Sequence, residues 1–170
     1  MMDFLSKLEQ SSFSQWVLSA NTIWAYPMIL FMHTVGMALV AGISTAIDLR
    51  LLGFAPKLPI KPLERLYPFM WVGFAINLIT GTILLIADAT TKLTNTDFYV
   101  KMVFVLSGVT LLAIMRNKVF RNPQVEEAPV ASVAKRLAFL SIVCWVGAVT
   151  CGRLLAYVGA VSGLHGLRGR

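Results

Sequence analysis

Four runs of mostly apolar residues, at 23–47, 67–87, 98–115 and 137–161, constrain this chain more than any motif in it. A helix needs about 20 such residues to cross the roughly 30 Å hydrocarbon core of a bilayer, and each run is of that order. Composition agrees, because charged residues make up only 14% of the 170 against about 25% in soluble domains. The sequence therefore predicts an all-α fold, an integral membrane four-helix bundle. Lipid offers backbone groups no hydrogen-bond partner, so each span must satisfy its own. Pro27 suits the first turn of span one, where its missing N–H costs nothing, and Pro56, Pro59, Pro62 and Pro68 punctuate the next connection.

A formal charge of +7 would suggest a nucleic-acid partner in a soluble protein. Here the cations sit in short connections. Arg50, Lys57, Lys61 and Arg65 lie between spans one and two, and Arg116, Lys118, Arg121, Lys135 and Arg136 between spans three and four, nine of the fifteen in all. The excess of Lys and Arg on cytoplasmic loops puts both connections inside and both termini outside. That distribution orients a multi-pass protein and leaves no phosphate-binding face.

Residues 1–22 are expected to form a short amphipathic helix lying on the outer membrane surface. Leu5, Leu8, Phe13, Trp16 and Val17 fall near helical spacing, and Ser12 with Gln15 has the form of a capping box. The segment does not read as a cleaved signal, since the apolar run after it is too long for one. Residues 162–170, with His165, form an outward-facing tail. Cys144 and Cys151 are two helical turns apart, about 10 Å, and are read as packing residues rather than a bridge.

Helical phase assigns the polar residues to faces. Span one aligns His33, Gly36, Met37, Val40, Ser44 and Asp48; span two aligns Gly73, Asn77, Thr80, Gly81 and Asp88; span four aligns Val146, Val149, Thr150, Arg153 and Tyr157. Polar groups in hydrocarbon turn toward protein or trapped water, so these faces are expected to point inward. His33 is ten residues into its span and Arg153 eight from the end of its own, depths of about 15 and 12 Å from one surface. With Asp88 and Lys101 they gather in the outer half. One reading is structural, with Arg153 paired to Asp88 and His33 bonded to Asn77, Thr150 or a carbonyl. Rows of small residues, Ala38-Gly42-Ala46 and Ala148-Gly152-Ala156-Ala160, would pack helices within the chain or against another subunit.

The other reading is a cofactor site. The stretch HTVG resembles haem-bearing helices of membrane b-type cytochromes, in which glycine leaves room for the flat macrocycle. His33 would be the axial ligand of one b-type haem, Met102 a second ligand at usable depth, and Arg153 the partner of its propionates, with Tyr157 beside it. Catalysis has little support. No span carries a carboxylate pair, no glycine-rich phosphate loop precedes a helix, and no Ser/His/Asp set shares a depth.

WAYPMILFMHTVGMALVAGISTAIDLRLLG, WVGFAINLITGTILLIADAT and GRLLAY together resemble the landmarks of a group of small bacterial four-helix membrane proteins of unknown function. The likeness runs from Trp24 to Tyr157 and implies a bacterial inner-membrane bundle, with His33, Asp48, Arg50, Asp88, Arg153 and Tyr157 matching the group's pattern. Members often carry a second histidine near the end of span three, where this chain has Met115. The function expected is that of an accessory or structural subunit in the lipid bilayer beside a larger membrane partner or further copies of itself. The haem-bearing electron-transfer subunit is the alternative.

Overall fold

The computed structural model describes residues 2–120 and 132–158, all helix or connection. Two short helices, α1 (Met2–Glu9) and α2 (Ser12–Ser19), precede the long α3 (Tyr26–Leu52). A 3-10 turn, Lys61–Leu66, leads into α4 (Tyr67–Ala87), and the single-turn α5 (Ala89–Leu93) joins it to α6 (Thr96–Met115). A π-helical turn, Arg116–Phe120, extends α6, and α7 (Ser132–Val158) completes the described chain. Among the described residues, four helices are long and apolar enough to cross a membrane. The protein is a small four-span membrane protein.

The spans depart from the sequence reading at their ends. α3 starts three residues later than expected, with Pro27 in its first turn, and runs on to Leu52, where Gly53 ends it at φ 107. Such a φ belongs to the left-handed region that glycine enters without penalty. Asp48 is therefore one turn inside the helix, not at its end. α7 begins at Ser132, so Lys135 and Arg136 lie in its first two turns, not in a loop.

The N-terminal segment is two helices where one was expected. Ser11, not Ser12, caps α2, its side chain accepting from the Ser14 N–H at 3.3 Å. Leu5 and Val17 are buried, while Phe13 and Trp16 stack at 6.5 Å on the exposed side. With Trp24 and Tyr99, also exposed, they put aromatic rings at the N-terminal end of the bundle, and Trp71 lies near the other end. Rings of this kind settle at headgroup level.

The spans pack in the order α4, α3, α7, α6. Glycines set the closest approaches. A Cβ on Gly36 would lie 2.8 Å from Gly73 O, and one on Gly73 2.7 Å from Leu39 Cβ, so α3 and α4 touch backbone to backbone. Between α6 and α7 the exchange is reciprocal: Gly108 receives the Trp145 ring and Gly147 the Phe104 ring. The apolar core lies toward the far end, around Ile47, Leu51, Tyr67, Met115 and Phe120. There Tyr67 and Phe120 meet edge to face at 5.4 Å, and Arg116 lies over the Tyr67 ring.

Candidate functional site

At the far end α4 and α6 are joined through Tyr67, whose hydroxyl donates to Leu112 O at 3.5 Å. At the N-terminal end a cavity of about 490 Å³ opens among α3, α4, α6 and α7. Its walls run from Tyr26 to Ala41 along α3, about 22 Å at the helical rise, enough to pass from the interface through the roughly 15 Å of one leaflet's hydrocarbon. Leu84, Leu85 and Ala148 make the apolar surface opposite, and Leu18 of α2 closes part of the mouth. Leu30, Ala38 and Val149 line the cavity and are themselves exposed. Its open side therefore lies laterally, between α3 and α7.

The polar groups of the wall are Tyr26, His33, Thr34, Asp88, Lys92, Lys101 and Arg153. His33 Nδ1 lies 3.0 Å from Thr80 Oγ1, and that hydroxyl is 2.6 Å from Ile76 O one turn back. A hydroxyl has one hydrogen, and the carbonyl can only accept it. Nδ1 then carries the ring proton and donates to Thr80, which leaves Nε2 as the lone-pair nitrogen. Gly81 makes room for this ring, since a Cβ there would meet His33 Cε1 at 3.1 Å.

Asp88 ends α4 and begins α5, and its Oδ2 lies 3.4 Å from Lys92 Nζ. The same ammonium donates to Leu155 O at 3.0 Å and so ties α5 to the end of α7. Lys101 lies across the backbone of α7, where a Cβ on Gly152 would be 3.5 Å from its Cε and 3.7 Å from its Nζ. Its ammonium forms no ion pair or hydrogen bond with the described residues. Three cations and one carboxylate thus face the cavity.

Four of the residues singled out from sequence, His33, Asp88, Lys101 and Arg153, line this one cavity. Asn77 does not; its backbone and Cβ pack on Gly36. His33 bonds to the backbone of Asn77, as expected, and to Thr80, one turn nearer the mouth, rather than to Thr150. Met102 is 37% exposed and absent from the cavity wall, because one residue along a helix turns the side chain about 100° from Lys101. The space beside Gly36 that HTVG offered a macrocycle is filled by Gly73 and Asn77 of α4. The Tyr157 side chain and His165 lie outside the described residues.

Span four turns differently from the sequence reading. Val146, Val149, Thr150 and Arg153 are exposed, and the buried face is Ala138, Ser141, Trp145 and Ala148. Thr150 needs no partner across the bundle, since its hydroxyl donates to Val146 O in its own helix at 2.8 Å. The Ala38-Gly42-Ala46 row is likewise exposed, with nothing within 4 Å of a Cβ at Gly42.

Two features are not evident from the sequence reading. Lys92 falls between the second and third apolar runs and is not singled out there, although its i+4 spacing from Asp88 on a helix could have flagged it. The other is a fully buried polar set nearer the far end, where Ser44 Oγ lies 3.3 Å from Asp48 Oδ2 and 3.2 Å from Ser141 Oγ of α7. Asp48 Oδ1 is buried without a hydrogen-bond partner. Ser44 and Asp48 share a helix face in the sequence; nothing in span four distinguished Ser141. Among the described residues no group of three or more His, Cys, Asp or Glu side chains could hold a metal ion. Comparison with models of protein families, with curated proteins and with solved structures finds no match.

Proposed function

We propose that this chain is a non-catalytic accessory subunit of the bacterial inner membrane that holds a membrane-resident amphiphile in its outer half. The observation that carries this reading is the cavity of leaflet depth, with charged groups and an apolar remainder along its walls, open sideways between α3 and α7. A purely structural bundle gains by closing such a space, because atoms that line a void forfeit dispersion attraction on that side. The exposed Ala38-Gly42-Ala46 row supports the accessory role, since small residues let another helix approach closely. The cation-rich connections support an outer-leaflet position for the cavity, and the resemblance of the quoted segments to small bacterial bundles supports the inner membrane.

Native mass spectrometry of the protein released from detergent tests the reading. One amphiphile is expected per chain. Gly152→Leu should abolish the adduct while preserving helix content, because a Cβ at Gly152 meets only ordinary contacts and the added side chain would enter the cavity. A wild-type chain without an adduct, or an adduct indifferent to Gly152→Leu, would overturn it.

The b-type haem has one observation in its favour: His33 Nε2 is left with its lone pair. Met102 lies off the wall and Gly36 is covered, so neither the second ligand nor the slot read from sequence is in place. A Soret band in the oxidised protein that shifts on reduction and disappears in His33→Ala would restore the haem reading.

A further inference from the structure

An ammonium within a membrane bundle is unfavourable unless an opposite charge or hydrogen-bond acceptors surround it. Lys101 starts about 7 Å along α6, close enough to the interface for a long side chain to reach water. It lies instead against the α7 backbone at Gly152, on the cavity wall. Among the described residues it has neither an ion pair nor a hydrogen bond, and the one carboxylate of the wall, Asp88, pairs with Lys92. Among the described residues, then, no negative counter-charge is left for Lys101.

Resting on the reading of the cavity as an amphiphile site, we propose that its occupant is an anionic phospholipid of the leaflet on the N-terminal side, with its phosphate at Lys101 between Lys92 and Arg153 and an acyl chain along the Leu30–Ala41 wall. Three positions favour a lipid over a small anion from water. Leu18 covers part of the mouth, the open side faces the bilayer, and beyond Thr34 the α3 wall is apolar, with Met37, Ala38 and Ala41. Lys101, left without a counter-charge among the described residues, favours an anionic over a zwitterionic headgroup, as basic side chains do at membranes.

The test reconstitutes the full chain in nanodiscs holding equal amounts of phosphatidylglycerol and phosphatidylcholine of matched acyl chains, and identifies the retained lipid by native mass spectrometry. Retention of phosphatidylglycerol is expected to exceed that of phosphatidylcholine roughly tenfold. Lys101→Gln should bring the ratio close to one, and Lys101→Arg should restore most of it. Equal retention of both lipids, or a preference untouched by Lys101→Gln, would overturn the assignment of charge. If the adduct were then still lost in Gly152→Leu, the cavity reading would survive that failure. Retention of neither lipid would overturn both.

Discussion

A single hydrogen atom decides how the α3–α4 contact forms. Gly36 has no Cβ, and one placed there would lie 2.8 Å from Gly73 O and 3.0 Å from Asn77 N, backbone atoms that cannot swing aside. Gly36→Val should therefore separate the two helices and lower stability by about 1–3 kcal/mol, measured as reversible unfolding in mixed micelles. Gly42→Ala on the same helix, where the space is open, should cost nothing and add helix propensity. A similar contrast holds for hydroxyls. Ser141 is fully buried and faces Ser44 across two helices at 3.2 Å, so Ser141→Ala should cost about 1–3 kcal/mol by leaving buried polar groups short of a partner. Thr110 is exposed and donates to Leu106 O in its own helix; Thr110→Val should change the same unfolding curve by less than about 0.5 kcal/mol.

The short elements at the N-terminal end are held by few bonds, and each can be tested separately. Glu9 Oε1 accepts from both the N–H and the hydroxyl of Thr90 at 2.7 Å, tying the end of α1 to the first turn of α5. Ser14 donates to Leu8 O at 2.8 Å and lies 3.4 Å from Ile86 O, which fastens α2 to the end of α4. Glu9→Ala removes an acceptor worth about 1 kcal/mol at a helix start. Amide exchange across Met2–Glu9 and Ala89–Leu93 should then accelerate several-fold, with exchange in α3 and α7 unchanged. The long elements were legible from sequence because twenty consecutive apolar residues have few other uses. The faces of α3 and α4 were legible too, because glycine and polar residues recur there at helical spacing. The face of α7 was not: Thr150 and Arg153 suggested an inward row, yet a threonine bonded to its own helix tolerates lipid, and the buried side is marked by Ser141 and Trp145. The break between α1 and α2 was hidden because apolar spacing alone does not show where a cap interrupts it. The cavity's composition could be anticipated from depth, but the position of Met102 away from the wall depended on a helical rotation that depth does not reveal.

At the scale of the molecule, the bundle leaves most of its span surface outside, as a lipid-embedded chain of this size must. Leu78, Ile79, Val103, Leu106 and Val146 are all exposed, so removal from detergent should bring rapid aggregation. The order α4, α3, α7, α6 brings His33, Asp88, Lys101 and Arg153 to one end, and that depends on the chain crossing the bilayer four times with α1, α2 and α5 on one side. Thiol labelling in intact cells tests this most directly. In a Cys144→Ser, Cys151→Ser background, single cysteines are introduced by Ser11→Cys, Thr94→Cys, Lys57→Cys and Lys118→Cys and exposed to a membrane-impermeant maleimide. Ser11→Cys and Thr94→Cys should react in intact cells, and Lys57→Cys and Lys118→Cys only after permeabilisation. Labelling of Ser11→Cys and Lys57→Cys from the same side would contradict the four-span arrangement and remove the cavity from the outer leaflet.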